Sequence, residues 1–150
     1  MPAAAAGQGV TAAFLNALAP LGEAQSATNL TAGTTTSTSY TDTLTSSTTV
    51  TLNFTAPPSG SVAIIIRASM VNSAGNYTAA AFRLSGATTR VSSDSDQIFT
   101  HGTDENTDES TTIVTGLTAG GSYTATMQHK VTAGTGTYNF RRITMRPIGG

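Results

Sequence analysis

The stretch TGLTAGGSYTATMQHKVTAGTGTYNF, residues 115–140, decides the fold class. Apolar and polar residues alternate after the tyrosine, and they alternate again after a turn that contains Gly134 and Gly136. Alternation with a period of two is typical of β-strands, in which successive side chains point to opposite faces. The stretch therefore predicts two strands that are joined by a tight turn.

The entry into the first of these strands has the spacing of a tyrosine corner, formed by Leu117, Gly120 and Tyr123. In β-sandwiches, the hydroxyl group of such a tyrosine is hydrogen-bonded to the backbone a few residues upstream. The spacing also resembles the L-x-x-G-x-x-Y pattern of fibronectin type III domains. That resemblance covers only residues 117–123, and the buried tryptophan of the module is impossible because the chain has no Trp. The pattern therefore predicts a sandwich without identifying its kind.

The same alternation continues through most of the chain after Tyr40. In chain order, the alternating segments are TTVTLNF, SVAIIIRASM, YTAAAFRLSG, a short strand around Arg90 and Val91, QIFT, TTIVTGL, YTATMQHKV and TYNFRRITMRP. Turn sequences separate the segments, and no helical pattern lies between them. About eight strands of this kind predict an all-β protein, a jelly-roll-like antiparallel β-sandwich that spans residues 37–150.

Residues 1–36 differ from the rest and predict an N-terminal anchoring arm that contains one short helix. The helix is expected at about residues 11–19, with Thr11 as its N-cap and Pro20 at its end. Because an isolated helix of about two to three turns is marginal in water, its apolar face must pack on its own domain or on a neighbouring subunit. That face consists of Val10, Phe14, Leu18 and Leu21. The remainder of the arm is interpreted as linker or extended chain.

The composition excludes several classes of protein. Only 10% of the 150 residues are charged and about a fifth are threonine, which is typical of a β-protein with a hydroxyl-covered surface. With a net charge of −1, nothing attracts nucleic acid or anionic lipid. The absence of cysteine excludes disulfides and thiolate zinc sites. No apolar run is long enough for a membrane span, and no signal peptide is recognisable, so no membrane association or general export is expected.

Six of the eight carboxylates lie close together in the sequence. They are Asp94, Asp96, Asp104, Glu105, Asp108 and Glu109. Because hard cations take oxygen ligands, this acidic stretch is a candidate Ca²⁺ loop, as in a calcium-dependent adhesin. However, counting from Asp94, Ile98 and Phe99 occupy the positions at which an EF-hand needs a ligand and a glycine. The simpler interpretation is a solvated loop, and no metal site is predicted.

Neither histidine belongs to a catalytic motif. His101 is next to the acidic stretch, whereas His129 is in phase with Tyr123 on a predicted strand and is expected to be a core or interface residue. Serines are abundant, but the chain has no G-x-S-x-G elbow, no phosphate-binding glycine loop and no zinc spacing. The sequence therefore predicts a protein that is not an enzyme and that uses no cofactor.

Three arginines lie on the last predicted strand. Arg141 and Arg142 point to opposite faces, and Arg146 shares the face of Arg142. A nucleic-acid interface would need more basic residues and interleaved aromatic residues. Arg142 and Arg146 are therefore expected to pair with carboxylates or carbonyl groups of a neighbour.

Four stretches resemble the short β-sandwich virion proteins that tailed phages of actinobacteria encode. They are GVTAAFLNALAP, TVTLNFTAPPSGSVAIIIRA, GLTAGGSYTATMQHKV and GTGTYNFRRITMRP. They are similar, in that order, to the opening helix, a strand–turn–strand, the strand entered through the tyrosine corner and the final strand of those proteins. The resemblance implies a virion component of the head decoration or minor tail type, carries no catalytic motif, and suggests a homotrimer.

These observations lead to one expectation and one alternative. The expected function is that of a structural protein on the surface of the virion, a capsid decoration or head-fibre protein. Its arm would bind the major capsid protein or another virion subunit, and deletion of residues 1–36 would release it with the sandwich intact. The alternative is a minor tail or receptor-binding module that contacts a host surface glycan or protein through residues 72–76 and 93–109.

Overall fold

A computed structural model describes residues 22–149. Within this range the chain forms nine strands and one short 3-10 turn at Asp94–Asp96. The strands are β1 (Gln25–Asn29), β2 (Gly33–Thr35), β3 (Thr51–Thr55), β4 (Val62–Asn72), β5 (Tyr77–Gly86), β6 (Ile98–His101), β7 (Asn106–Val114), β8 (Ser122–Val131) and β9 (Gly136–Pro147). The helix predicted at about residues 11–19 and its apolar face (Val10, Phe14, Leu18 and Leu21) lie outside the described residues.

The strands form two antiparallel sheets that pack face to face. The first sheet has the order β1-β9-β4-β7, with β2 also paired to β9, and the second has the order β3-β8-β5-β6. Because β1 and β2 follow each other along the same edge of β9, they act as one interrupted strand. Each sheet then has four strands, and every connection except β5–β6 crosses between the sheets. This topology confirms the predicted jelly-roll-like sandwich.

The first two strands are a correction to the predicted domain boundary at residue 36. Gln25 lies opposite Met145 and Gly33 lies opposite Tyr138, so the first sheet includes residues that were assigned to the anchoring arm. The reason is that QSATN and GTT form an edge of the sheet, where half-exposed threonines and serines replace the apolar alternation of inner strands. Their membership in the sheet depends on backbone pairing with β9.

The region between residues 86 and 109 also differs from the prediction. The strand expected around Arg90 is a single bridge to Leu84. The acidic stretch is not one loop, because β6 and the first part of β7 run through it. Carboxylates that alternate along a strand point to different faces, and this spreads them over the surface.

The core lies between the two sheets and follows the predicted alternation. On β4, Ile64 and Ile66 are fully buried, whereas Ile65 is half-buried on the outer face. Phe82 on β5 and Met127 on β8 face them from the second sheet. Burial of such apolar side chains is the main stabilising contribution, since the chain has no disulfide.

The link into β8 has the geometry of a tyrosine corner. The hydroxyl oxygen of Tyr123 accepts a hydrogen bond from the backbone N–H of Thr118 at 2.9 Å, and the ring stacks on Phe54 with centroids 5.6 Å apart. Gly120 has a φ of 74°, a conformation that favours glycine, and Leu117 is buried above the corner. The corner therefore closes the β7–β8 connection onto the core.

Replacement of Tyr123 with phenylalanine should lower the Tm by about 3–5 °C, because the N–H of Thr118 loses its acceptor in the corner. Thermal denaturation followed by circular dichroism would measure the change. Tyr77→Phe is the matched control, since the Tyr77 hydroxyl donates no hydrogen bond to the described part of the chain. Equal melting of the two variants would contradict a stabilising role for the corner.

Candidate functional site

Three turns meet at one end of the sandwich, which we call the turn end: residues 73–76, 102–105 and 132–135. The backbone N–H of Asn72 donates to the carbonyl oxygen of Gly102 at 3.2 Å, and that of Ser73 donates to Thr135 at 2.9 Å. The buried amide of Asn72 also donates to the carbonyl oxygen of Ala133 at 3.0 Å and accepts from the N–H of Ala74 at 2.9 Å. These bonds fix the turns to one another, so the turn end presents a rigid surface.

Beside these turns lies an exposed aromatic patch that consists of Tyr77, Phe99 and His101. The rings of Tyr77 and Phe99 stack with centroids 5.0 Å apart, and His101 lies edge-on to Tyr77 at 4.8 Å. The patch forms because β5 and β6 pair in a register that places Tyr77 opposite His101 on the outer face of the second sheet. Phe99 remains 48% exposed on an edge strand. Because the three rings are contiguous and lie on an edge strand and its neighbour, they form a candidate contact surface.

A polar cluster adjoins the aromatic patch. The Tyr40 hydroxyl donates to Asp94 Oδ1 at 2.9 Å, and Lys130 Nζ lies 2.5 Å from the same oxygen and 4.6 Å from the Tyr40 ring centroid. The hydrogen bonds from Lys130 and Tyr40 hold the pKa of Asp94 below its usual value, whereas burial and the charge of Asp94 raise the pKa of Tyr40. Burial, followed by the same charge, also raises the pKa of Tyr77, which connects the cluster electrostatically to the patch.

The patch and the polar cluster together can bind a ligand that has an apolar face and hydroxyl groups. Aromatic rings supply an apolar surface, and the carboxylate, ammonium and phenol groups supply hydrogen bonds at its edge. From the sequence, His101 was noted only for its position next to the acidic stretch, and neither Tyr77 nor Phe99 was predicted individually as a contact residue. The alternation along β6 could have indicated that Phe99 and His101 share the exposed face, because they alternate with the buried Ile98 and Thr100.

The candidate Ca²⁺ ligands are not brought together. Asp94 binds Lys130, Asp96 is buried against Arg90, and Asp108 accepts a hydrogen bond from the N–H of Phe99 at 3.3 Å. The other three point elsewhere: Asp104 lies in the β6–β7 turn, Glu105 accepts from the Ser69 hydroxyl, and Glu109 lies opposite Arg67 on the outer face of the first sheet. Within residues 22–149, no three His, Asp or Glu side chains are arranged to hold a metal ion. The calcium hypothesis therefore has no assembled site.

The two histidines are separated by the second sheet. His101 is on its outer face, whereas His129 is fully buried on the inner face, where its ring lies edge-on to Tyr138 at 4.6 Å. The interpretation of His129 as a core residue is thus confirmed. Arg141 is also fully buried, whereas Arg142 is half-buried on the opposite face, as predicted for neighbours in a strand.

No helix within residues 22–149 is long and apolar enough to cross a membrane.

No protein-family model matches the sequence, and no curated protein matches it either. Among solved structures, the chain is similar to Eiger TNF from S. frugiperda, with a TM-score of 0.50 and 10% sequence identity. The match covers 83% of this chain and 92% of that chain. At this identity the likeness shows the fold alone, a TNF-like jelly roll.

Proposed function

We propose that the protein is a non-enzymatic structural component of a phage particle, a capsid decoration or head-fibre protein at the virion surface. The four stretches that resemble virion proteins support the assignment to a phage particle. The positions of the two ends of the sandwich support the proposed mode of attachment. The partners of this function would be the major capsid protein or another virion subunit, together with further copies of the chain in a homotrimer.

The observation that carries the proposal is the position of the first described residue. Gly22 lies beside Pro57, Gly120 and Pro147, at the end of the sandwich opposite the turn end. We call this the base end. Since β4 runs the full distance with 11 residues, the two ends are separated by about 35 Å. The segment before Gly22 therefore joins the sandwich at the base end and leaves the turn end free to face away from an attachment surface.

Attachment at the base end would also explain how such a protein stabilises a shell. A partner that binds only the assembled state shifts the equilibrium toward assembly by mass action. An attached sandwich of this length would place its turns and its aromatic patch outward, where a particle meets its surroundings.

Deletion of residues 1–21 tests the proposal. The truncated protein should keep the Tm of the full chain within about 2 °C, because β1 and all its pairs with β9 are retained, but it should no longer bind particles that lack the protein. Co-sedimentation with such particles would measure binding. Deletion of residues 1–36 is not suitable as this test, since it removes β1 and β2, and it should melt at a markedly lower temperature. Full particle binding by the shorter deletion would refute attachment through the arm.

The aromatic patch favours a second candidate, a tail-associated module that contacts a host surface glycan. The two stretches expected to contact a host surface, residues 72–76 and 93–109, meet at the turn end, where Asn72 is bonded to Gly102, and the second stretch includes Phe99 on an edge strand. Immunogold labelling of particles would separate the candidates, because label on heads supports decoration and label on tails supports receptor contact.

For the second candidate, Phe99→Ala should weaken binding to a glycan by about tenfold, since it removes the exposed ring. A glycan array with the full chain would identify the ligand, and calorimetry would compare the variants. Val91→Ala is the control, because Val91 is 81% exposed but lies outside the patch. No array signal, or equal affinities of the two variants, would argue against this candidate.

A further inference from the structure

Three arginines on one surface form no ion pair within residues 22–149. The chain has seven Lys and Arg residues, and three of them form ion pairs, namely Arg83 with Asp42, Arg90 with Asp96, and Lys130 with Asp94. A fourth, Arg141, is buried in the core. The remaining three all lie on the outer face of the first sheet, on β4 and β9: Arg67, Arg142 and Arg146. We call them the arginine face.

Two of these arginines are held close to each other. Arg67 and Arg142 are direct partners across β4 and β9, an arrangement in which like charges destabilise a sheet. Both guanidinium groups lie near the ring of Phe140, at 5.6 and 5.8 Å from its centroid. Cation–π contact with one ring therefore orients both groups, and the repulsion between them would be relieved by an anion.

The arginine face surrounds a shallow depression of about 240 Å³. Besides the three arginines, its lining includes Ile65, the carboxylate of Glu109 and the hydroxyl groups of Ser26 and Thr144. The depression has room for a carboxylate side chain and is smaller than sites for drug-sized ligands. Guanidinium groups suit this occupant because their paired N–H groups match the two oxygens of a carboxylate.

The same outer face offers suitable carboxylates on its other side. Glu109 of β7 is the direct partner of Arg67, so Glu109, Arg67 and Arg142 stand in a row across three strands. Glu105 extends over this face to the hydroxyl group of Ser69. Neither glutamate forms an ion pair with a described residue. The face thus carries Glu109 on β7 and Glu105 just before it on one side, and Arg142 and Arg146 of β9 on the other side.

Apolar residues lie between and beside the charged rows. Ile65 is half-buried, and Ile113, on β7, is 58% exposed. Apolar side chains together with arginine are typical of protein interfaces. A face of four strands of this length offers on the order of 600 Å² per copy, which approaches the roughly 800 Å² per partner of a standard interface.

We propose that the outer face of the first sheet is a contact between copies of this chain, in which Arg142 and Arg146 of one copy bind Glu105 and Glu109 of its neighbour. A second copy fits better than a nucleic acid, because the chain has a net charge of −1 and this face carries two carboxylates beside its three arginines, so its charges can complement those of another copy. This inference names a contact surface for the association between copies that the proposed function includes. Its test is separate from that of the proposed function, since association of the isolated protein requires neither a particle nor the arm.

Sedimentation velocity of the full chain tests the contact. At about 50 mM salt the wild type should associate, and at about 500 mM salt the dissociation constant should rise at least about tenfold, because the charge pairs are screened. The variant Arg142→Glu with Arg146→Glu should be monomeric at both salt concentrations. Thr51→Glu with Thr55→Glu is the control, because it adds two carboxylates to exposed positions of the second sheet and should associate like the wild type.

A charge exchange identifies the partner group. Combining Arg142→Glu and Arg146→Glu with Glu105→Arg and Glu109→Arg in one chain should restore association. If the Tm of the Arg142→Glu, Arg146→Glu variant is well below that of the wild type, the milder pair Arg142→Gln with Arg146→Gln should still weaken association at least about tenfold. The proposal is wrong if the wild type is monomeric at low salt or if the double Arg→Glu variant associates like the wild type. It is also wrong if the fourfold charge exchange does not restore association.

Discussion

Replacing Arg141 with methionine is expected to lower the free energy of unfolding by about 2–4 kcal/mol, and the Tm by about 5–15 °C. Arg141 has no exposed surface, and its guanidinium group donates to the carbonyl oxygens of Thr48 at 3.1 Å and Thr31 at 3.3 Å, and to the Ser47 hydroxyl. Methionine would fill much of the space but would remove all three hydrogen bonds of the charged group. The carbonyl oxygen of Thr31 would keep the Ser47 hydroxyl as a donor, and that of Thr48 would keep the Asn29 amide. The segments around residues 31 and 47–48 would lose the hydrogen bonds that the guanidinium group supplies from β9.

Equilibrium unfolding in urea measures this loss. Arg146→Met is the matched control, since Arg146 is exposed on the same strand, and at high salt its variant should stay within about 0.5 kcal/mol of the wild type. A comparably small change for Arg141→Met would mean that the remaining donors, the Ser47 hydroxyl and the Asn29 amide, are sufficient for the two carbonyl groups. The hydrogen bonds of the Arg141 guanidinium group would then not be a main source of stability.

Acidification is expected to destabilise the protein through His129. Burial, followed by the nearby charge of Arg141, lowers the pKa of His129 to about 3, against 6.5 for an ordinary histidine. Between these values the unfolded chain binds a proton that the folded chain does not bind, so unfolding is favoured as the pH falls. The stability present above about pH 6.5 is therefore lost progressively toward pH 3, by about 2–3 kcal/mol at pH 4.5.

The variant His129→Leu should remove this dependence. At pH 7 it should be at least as stable as the wild type, because both ring nitrogens of His129 lack a hydrogen-bond partner within the described range. Urea unfolding at pH 7 and about pH 4.5 separates His129 from Asp42 and Asp94. Their pKa values are lowered from 3.8, so their contributions decline only at more acidic pH.

His101→Leu provides the comparison for this variant, since His101 is exposed on the outer face. It should keep the pH dependence of the wild type. If His129→Leu lost as much stability between the two pH values as the wild type does, another group would be responsible for the acid sensitivity.

The alternation in the sequence was sufficient to predict the fold class and the longest strands. Two segments, residues 62–70 and 123–131, place apolar side chains on one face at every second position except His129, and these faces form the core. The strands β1 and β2 could not be predicted in this way, because an edge strand with one half-exposed face carries no apolar rhythm. What makes them strands is the backbone of β9, which is more than a hundred residues later in the chain.

The candidate site depended even more on distant contacts. The burial of Arg141 follows from carbonyl acceptors 93 and 110 residues away, and Asp94 finds Lys130 at a separation of 36 residues. The aromatic patch exists only because β5 and β6 pair in one register. A pattern of single residues identifies which side of a strand a group occupies, but it does not specify which groups from other strands meet it there.

The placement of the base end and the turn end at opposite ends of the strands has a mechanical consequence. A pull between an attachment at the base end and a ligand at the turn end acts along the strand direction. The hydrogen bonds between antiparallel strands lie perpendicular to that direction, so such a load shears many of them at once instead of opening them one after another. In contrast, Gly22 and Ile148, which pairs with Ser61, are both at the base end, and tension applied between them would peel β1 from β9 bond by bond.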